Sequence, residues 1–394
     1  MIMKKCILVA AIALLSSPVL MAAVQAKTLV LDSTIFEGAG GKDKTVFVWS
    51  ASGQRLSETY FNWDGVTESW APSGRYMFTY DAAGNQTSQT YQNWESDDWR
   101  DNFGYERKFD EVGNKLEEIY KQWDDVTKAL KNVKRDKYTY NGANQVIVYF
   151  NSGWEAGKWV DYDKITYDYE NGLLKTEVSY YWNTVVTDFV FSWRKTYTYN
   201  ANNKVKEIIE NGWVSDDWKP SNKETFDYDA NSNLTLNTKY AINSTGTDWD
   251  PTVQWVYVYD ANNQLMSIES QSYSLIDGIF YPISIQEFAY DAAGNEVETK
   301  DASWDGAQWV YNNKTENIFI EGTEYVKKQL YYMYDTGSSS FINTGFNTYY
   351  YHEQATALDR VAAQSGNTVK VIRNGQLLII RDGKTFDMNG KVVE

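Results

Sequence analysis

An aromatic residue directly followed by a turn sequence recurs at intervals of 29 to 31 residues along most of the chain. The aromatic residues are Trp49, Tyr80, Phe109, Tyr140, Tyr169, Tyr199, Tyr228, Tyr259 and Tyr290. Self-similarity at a fixed period is typical of repeat architectures, in which each unit buries its apolar surface only against its neighbours. This period therefore constrains the fold more than any other feature of the sequence.

The turns share a residue pattern. Most have Asp, Asn or Ser at the first position and Gly or Asn at the fourth, as in Asp81 to Gly84 and Asn200 to Asn203. A type I turn followed by a left-handed residue needs a first side chain that accepts a backbone hydrogen bond and a fourth residue that tolerates a positive φ. Two copies deviate, with Ser232 at the fourth position of one and a shorter Glu170-Asn171-Gly172 turn in another. The pattern predicts a β-hairpin in every repeat.

A second landmark, usually tryptophan, follows each turn aromatic after 13 or 14 residues. Its members are Trp63, Trp94, Trp123, Trp154, Trp182, Trp213 and Trp304, with Ile242 and Tyr273 in the same place. A short polar stretch then leads to a further tryptophan in four repeats, at Trp99, Trp159, Trp218 and Trp309. The polar stretch predicts a return turn, and the β-branched and aromatic residues on both sides predict two strands per repeat.

Stacked hairpins of this kind predict an all-β fold. We expect a long antiparallel meander or a β-solenoid-like coiled sheet of roughly twenty strands, because a sheet that long twists and coils. A propeller-like grouping of the same hairpins is the alternative. The predicted organisation is a signal peptide at 1–26, a lead-in at 27–44, about ten hairpin repeats at 45–353, a linker at 354–368 and a C-terminal hairpin at 369–394.

The N-terminal segment and the charge indicate an exported protein. Residues 1–26 combine Lys4 and Lys5 with an apolar run and a small-residue end at Ala26, which is typical of a secretory signal peptide. Cys6 is the only cysteine and lies in that segment, so no cysteine chemistry is expected in the mature protein. The net charge of −16 disfavours nucleic acid and anionic membranes as partners. No membrane insertion is expected, because no later segment approaches the roughly 20 apolar residues of a spanning helix.

Two motifs carry a resemblance to known proteins. The Tyr-Asp-Ala-Ala-Gly-Asn units at 80–85 and 290–295 resemble the YD-type repeats of secreted and cell-surface bacterial proteins. With elements such as Asp97-Asp98-Trp99, they make residues 45–350 similar to tryptophan-rich repeat proteins exported by Bacteroidota. The tail from Val369 to Glu394 resembles the final hairpin of a type IX secretion sorting domain. The resemblance implies a secreted or outer-surface location, with the type IX secretion machinery as a partner.

Little in the sequence indicates catalysis or a cofactor. His352 is the only histidine and no Gly-x-Ser-x-Gly elbow accompanies it, so no catalytic triad is predicted. Asp229 to Asn233 resembles the front half of a calcium loop, but the later glycine and glutamate are missing and the turn pattern explains these residues. We therefore predict no metal and no cofactor. A carboxylate pair remains the enzymatic alternative, although Asp97-Asp98 and Asp216-Asp217 lie at equivalent return turns, as solvated loops do.

The tryptophans are the strongest candidates for a binding site. An indole face stacks on the apolar face of a sugar ring, and a row of indoles would form a platform for an extended glycan. We expect the first tryptophan of each repeat to form the core, because a repeat unit must bury something. The second lies beside a polar turn, where exposure and burial are both open. The predicted ligand-binding residues are Trp99, Trp159, Trp218 and Trp309.

The predicted function is therefore a secreted or cell-surface, non-catalytic repeat protein. Its expected partner is a glycan or a surface protein, so the protein would act as an adhesin or a lectin-like module. Two alternatives stay open: a secreted carbohydrate-active enzyme with a carboxylate pair, and a structural component of a surface layer.

Overall fold

The computed structural model describes residues 29–353 and three short strands between residues 368 and 386. The chain divides into two compact units, one spanning Leu31–Tyr351 and the other holding the three C-terminal strands. The predicted signal peptide and residues 354–367 of the predicted linker lie outside the described residues. Within the described part of the chain, no helix has the length and apolar character needed to cross a membrane.

The larger unit is built from 22 strands, each paired antiparallel with the next along the chain. They are β1 (Leu29–Gly38), β2 (Gly41–Trp49), β3 (Arg55–Asp64), β4 (Ser69–Tyr80), β5 (Gln86–Glu95), β6 (Asp98–Phe109), β7 (Lys115–Asp124), β8 (Ala129–Tyr140), β9 (Val146–Glu155), β10 (Lys158–Glu170), β11 (Leu173–Asn183), β12 (Asp188–Tyr199), β13 (Val205–Val214), β14 (Asp217–Tyr228), β15 (Leu234–Ile242), β16 (Trp249–Tyr259), β17 (Leu265–Ser274), β18 (Ile279–Tyr290), β19 (Glu296–Trp304), β20 (Trp309–Phe319), β21 (Val326–Asp335) and β22 (Ser340–Glu353).

Strand β1 also pairs with β22, so the sheet closes into a 22-stranded barrel. The prediction of an all-β antiparallel hairpin meander is confirmed. The solenoid-like and propeller-like forms are wrong, because every strand continues one uninterrupted sheet whose two ends meet. Closure leaves the sheet without an unpaired edge.

Glycine permits the close approach of strands at this seam. A Cβ added at Gly345 of β22 would lie 2.7 Å from the Glu37 carbonyl oxygen and 2.9 Å from the Phe36 ring of β1. A Cβ at Gly38 would lie 2.9 Å from the Thr344 carbonyl oxygen. Any larger residue at either position would therefore push the two strands apart.

The predicted turns are confirmed in detail. At the first aromatic turn that carries aspartate, the Gly84 amide donates to the Asp81 carbonyl at 3.1 Å, and the Ala83 and Asn85 amides donate to Asp81 Oδ1 at 3.0 and 2.8 Å. The fourth residue takes a left-handed conformation, with φ of +90° at Gly84 and +67° at Ser232. The shorter copy turns on Asn171 and Gly172, which both have positive φ.

The length of the return turn explains the difference between a 31-residue repeat and the 29-residue repeat that follows it. Strand β3 ends at Asp64 and β4 begins at Ser69, which leaves four turn residues in a 31-residue repeat. Strand β5 ends at Glu95 and β6 begins at Asp98, which leaves two turn residues in a 29-residue repeat. In these two repeats the difference of two residues lies in this turn.

The turn aromatics connect successive repeats. The Tyr80 hydroxyl donates to the carbonyl of Arg55, the first residue of β3, at 2.8 Å. Equivalent bonds of 2.7 to 3.0 Å are donated by Tyr140, Tyr169, Tyr199, Tyr228, Tyr290 and Tyr351, and by the Trp49 indole. Each ring thus satisfies a carbonyl of the preceding hairpin, which explains why tyrosine dominates this position.

The barrel has almost no close-packed apolar core. Among the described residues, the buried apolar side chains are Phe78 and Ala302. A barrel of this many strands is wider than its own side chains can fill. The expectation that the first tryptophan of each repeat forms the core is therefore wrong: Trp63 and Trp154 are each 37% exposed. Both faces of the single-layer sheet carry half-buried side chains instead.

The second unit contains strands β23 (Thr368–Arg373), β24 (Gln376–Arg381) and β25 (Lys384–Phe386), which form an antiparallel three-stranded sheet. Arg373 pairs with Gln376, and Arg381 pairs with Lys384. Residues 374–375 and 382–383, between these strands, lie outside the described residues. Residues 387–394 of the predicted C-terminal hairpin also lie outside the described residues.

Candidate functional site

In ten of the eleven hairpins that close at a return turn, a large apolar residue before the turn faces another one after it; in the β1/β2 hairpin these positions hold Glu37 and Lys42. Trp94 and Trp99 are directly opposite in register, with ring centroids 4.9 Å apart and ring planes inclined by 65°. Seven further hairpins carry such an edge-to-face pair at 4.8 to 5.2 Å: Trp63/Trp70, Trp154/Trp159, Trp182/Phe189, Trp213/Trp218, Tyr273/Phe280, Trp304/Trp309 and Tyr334/Phe341. Trp123/Leu130 and Ile242/Trp249 occupy the same positions. This geometry is the one that aromatic quadrupoles favour.

We call these ten pairs the aromatic-pair row. Because all return turns lie at the same end of an up-and-down sheet, the pairs follow one another around that end of the barrel, on one face of the sheet. Adjacent pairs are two strands apart, which is about 9.6 Å. The row is therefore regular, and the strand spacing sets its period.

A cation lies against the second ring of most pairs. The guanidinium carbons of Arg75, Arg135 and Arg194 lie 4.4, 4.7 and 4.8 Å from the ring centroids of Trp99, Trp159 and Trp218. Each arginine is five residues before a turn aromatic and reaches over one intervening strand. At the same repeat position Lys44, Lys164, Lys223 and Lys314 approach the second rings Trp70, Phe189, Trp249 and Phe341 at 5.3 to 6.0 Å. Such contacts contribute roughly 0.5–2 kcal/mol each.

Hydrogen bonds hold Arg75 and Arg135 in place. Arg75 Nε donates to Gln92 Oε1 at 2.6 Å, and Gln92 Nε2 donates to Asp101 Oδ1 at 2.7 Å. Burial lowers the pKa of Arg75, but an arginine remains charged far above neutral pH. Near Trp159, the fully buried Ser152 hydroxyl donates to Asp161 Oδ1 at 2.7 Å. The same Asp161 oxygen lies 3.8 Å from the Arg135 guanidinium. The second ring is thus fixed from both sides.

The four predicted ligand-binding tryptophans all belong to the row. Trp99, Trp159 and Trp218 are half-buried between their partner indole and an arginine, and Trp309 is half-buried with Ile285 at the arginine position. Sequence reasoning did not identify the cations, although a basic residue five positions before the turn aromatic in seven repeats is a readable signal. Sequence reasoning also did not predict that the first ring of each pair is partly exposed. The binding role of the four tryptophans stays a prediction.

Exposed aliphatic side chains project from the return turns beyond the row. The second residue of four such turns is almost fully exposed, at 93% for Val66, 88% for Val126, 89% for Val185 and 95% for Ile276. The backbone beneath is fixed by aspartate: the Val66 amide donates to Asp64 Oδ1 at 2.8 Å, and these bonds lower the pKa of Asp64. The aromatic-pair row is therefore bordered by solvent-exposed return turns that carry carboxylates and aliphatic side chains.

The other sequence candidates have structural roles in the described residues. Asp229 Oδ1 accepts from the Asn231 and Asn233 amides at 2.9 Å, and Oδ2 accepts from the Asn233 side chain at 2.9 Å. Both oxygens serve the turn, and these bonds lower the pKa of Asp229. Nowhere in the described residues do three or more His, Cys, Asp or Glu side chains gather as metal ligands would. His352 lies near the end of β22.

No family model and no curated protein matches this chain. Three solved structures show the range of structural similarity. A porin-like protein from Bacteroides uniformis is 10% identical and covers 62% of this chain and 95% of its own, with a TM-score of 0.27. TcdB2-TccC3 is 12% identical over 91% of this chain and 23% of its own, with a TM-score of 0.27. A protein of unknown function from Bacteroides fragilis is 12% identical over 38% of this chain and 87% of its own, with a TM-score of 0.20.

At these TM-scores the similarities carry no argument about what this chain does. Two of these three proteins come from Bacteroides species. The resemblance to YD-type repeats and to a type IX sorting signal stays a prediction from the residues quoted above.

Proposed function

We propose that this chain is a secreted or cell-surface, non-catalytic protein that binds carbohydrate through the aromatic-pair row. The observation that carries the proposal is the row itself: half-exposed indoles on one face, repeated at one end of the barrel. A glycan, free or on a host surface protein, is the ligand with matching chemistry, because sugar rings have an apolar face and a hydroxyl rim.

The spacing of the row suits an extended chain. Neighbouring pairs are about 9.6 Å apart, which is comparable with the length of a disaccharide unit. One glycan chain would then meet the same aromatic contact at every second sugar, so weak contacts would add through multivalency. Single sugars would bind poorly and long chains well.

The two rings of a pair have different roles: the second ring is held in a fixed position, and the first ring offers the larger exposed surface. The arginine or lysine and the first indole hold the second ring, so little side-chain freedom is lost when a ligand binds. The first ring keeps the larger exposed area in Trp63 and Trp154. The exposed return-turn carboxylates Asp97 and Asp216 lie directly beyond their pairs and would accept hydrogen bonds from sugar hydroxyls.

A titration tests the proposal. We would titrate the protein with soluble polysaccharides and mucin glycans, follow tryptophan fluorescence, and measure bond cleavage in the same tubes. The expected result is a saturable spectral change without cleavage. Combined Trp63→Ala and Trp154→Ala substitutions should weaken binding by at least about tenfold, and Trp99→Ala with Trp159→Ala and Trp218→Ala should do the same.

The matched control is Tyr281→Ala, which removes an exposed ring that is next in sequence to Phe280 of the row but lies on the opposite face of the sheet. Unchanged binding in the pair variants, with weakened binding in the control, would contradict the proposal. Cleavage of glycosidic bonds would favour the carbohydrate-active enzyme instead. Self-assembly without any spectral change would favour a structural surface-layer component.

A further inference from the structure

A cavity of about 370 Å³ lies on the face opposite the aromatic-pair row, between β12 and β16. Its volume is within the range of small-molecule sites, about 300–1,000 Å³. The polar side chains that line it include Lys195, Glu210, Asn222, Glu224, Lys239 and Thr252. We call it the charged cavity.

The charged cavity replaces a set of aromatic rings that the same face carries four repeats earlier. Tyr76 and Tyr91 lie 4.8 Å apart, Tyr91 and Phe103 lie 5.2 Å apart, and Tyr105 and Tyr120 lie 5.2 Å apart between ring centroids. We call these five residues the aromatic cluster. The positions 119 residues after them are, in order, Lys195, Glu210, Asn222, Glu224 and Lys239. All five aromatic positions have thus become charged or amide residues that line one cavity.

Two tryptophans outside the repeat pattern flank the cavity. Of the 16 tryptophans, 13 belong to the aromatic-pair row and Trp49 is a turn aromatic. The other two are Trp193 on β12 and Trp255 on β16. Lys195 Nζ lies 5.0 Å from the Trp193 ring centroid, and Lys239 Nζ lies 5.2 Å from that of Trp255. These indoles hold the two cavity lysines, which indicates a built arrangement rather than a random run of polar residues.

The carboxylates of the cavity are oriented by amides and remain partly available. Glu210 accepts from Asn222 Nδ2 at 3.1 Å and lies 3.6 Å from Lys195 Nζ. Glu224 accepts from the buried Asn237 side chain at 3.0 Å through one oxygen. Its other oxygen has no hydrogen-bond partner among the described residues, so it can accept from a ligand.

Glu224 and Lys239 are directly opposite in register, on neighbouring strands and the same face. They nevertheless form no ion pair, and Lys239 pairs with no carboxylate among the described residues, because its ammonium lies against Trp255 instead. An ammonium and a carboxylate therefore face the same space without neutralising each other.

We propose that the charged cavity binds a carboxylated sugar residue, a uronic acid or a related acidic monosaccharide. The ammonium groups of Lys195 and Lys239 would take the sugar carboxylate, and the carboxylates of Glu210 and Glu224 would accept hydrogen bonds from ring hydroxyls. Ile208 and Ala241 supply apolar lining for the ring. A simple anion would satisfy the two lysines and leave the two glutamates without donors, and a metal cation would do the reverse. A ligand that presents an anion to the lysines and several hydroxyl donors to the glutamates satisfies both.

The proposal does not depend on the aromatic-pair row, which lies on the other face. The two sites are therefore separable by substitution: Trp63→Ala with Trp154→Ala should leave uronate binding unchanged, and cavity substitutions should leave the binding of neutral glycans unchanged. Failure at one site would say nothing about the other.

Isothermal titration calorimetry of the full chain with glucuronate tests the proposal that the charged cavity binds a carboxylated sugar. Glucose is the neutral counterpart. We expect saturable binding of glucuronate that weakens with added salt, and much weaker binding of glucose. Lys239→Gln should reduce the affinity by more than about tenfold, because it removes the charge-assisted contact. A polyuronate titrated in parallel shows whether the sugar is recognised free or within a chain.

The matched control is Lys219→Gln, which removes an exposed lysine bound to Asp217 at 2.6 Å away from the cavity lining. Circular dichroism and the melting temperature of each variant establish that it is folded. Equal affinity for glucose and glucuronate, no saturable glucuronate binding by the unmodified chain, or an unchanged affinity in a folded Lys239→Gln variant would each overturn the proposal.

Discussion

The aromatic cluster on β4 to β7 and the charged cavity between β12 and β16 occupy equivalent positions on the same face, yet one is filled by rings and the other is open and ionic. The surrounding hairpins are alike: Trp94/Trp99 and Trp213/Trp218 form the same edge-to-face pair in the two regions. The backbone therefore accommodates either packed aromatic rings or charged side chains around a cavity at these positions. Turns, pairs and turn aromatics maintain the repeat, and the remaining positions are free to build a site.

The largest expected difference between the two regions is in stability. Tyr91→Ala should lower the free energy of unfolding by about 2–3 kcal/mol, because the ring contacts both Tyr76 and Phe103. Glu210→Ala, 119 residues later, should lower it by less than about 1 kcal/mol, because no packed ring is lost. Urea unfolding of the two variants measures both values. Equal losses would show that the cavity residues are part of the packing.

Alkaline pH should weaken the packing of the aromatic cluster. Burial raises the pKa of Tyr76 and Tyr105, and it raises the pKa of the neighbouring Tyr138 to about 12. The unfolded value is about 10, so these tyrosines stabilise the fold fully below pH 10 and lose that contribution as the pH rises toward 12. Tyr105→Phe should therefore move the alkaline unfolding transition to higher pH.

The transition is followed by near-ultraviolet circular dichroism between pH 8 and 12, with Lys195→Gln as the control in the charged cavity. That control should leave the midpoint in place. A midpoint that moves equally in the two variants would mean that buried tyrosine is not what titrates.

Removing the first aspartate of an aromatic turn should have the same effect on stability in the two regions. Asp110 and Asp229 are 119 residues apart and accept the same three hydrogen bonds, including one from the following asparagine side chain, Asn114 or Asn233, which lowers the pKa of both carboxylates. Their contribution is present above pH 4 and is lost as the pH falls below it. Asp110→Ala and Asp229→Ala should lower the melting temperature at pH 7 by the same amount, and much less at pH 2.

The smallest effect is expected at the return turns. Asp97 and Asp216 have φ of +62° and +61°, a conformation that glycine adopts without strain. Asp97→Gly and Asp216→Gly should each stabilise the protein by about 0.5 kcal/mol, measured by thermal unfolding. A gain at only one of the two positions would show that the local surroundings, and not the turn, determine the effect.

The sequence was sufficient to predict the hairpins, because the turn chemistry is local. Asp81 and Gly84 identify their turn from four consecutive residues, and the same pattern recurs in most repeats. Closure of the sheet was not predictable in this way. Besides β2, strand β1 pairs with a strand about 300 residues later. No local sequence pattern around Phe36 or Gly345 indicates that these two residues lie in contact.

The site was predicted only in part. The spacing of the tryptophans identified the rows, but their burial was misjudged because a repeat protein was assumed to need a packed core. The charged cavity was not identified, since Glu210 and Lys239 look like ordinary surface residues until the register places them on one face. A comparison of positions 119 residues apart would have shown that five aromatic positions had changed together.

The seam between β1 and β22 has a consequence for how the chain assembles. Every other strand pairs with its neighbour in sequence, so hairpins can form within microseconds of one another, whereas the seam must join residues about 300 positions apart. Until it does, the ribbon of hairpins has two unpaired edges, each as ready to pair with another molecule as with its own far end. Glycine at 38 and 345 thus helps to determine whether a newly folded chain becomes a closed monomer or a link in a polymer.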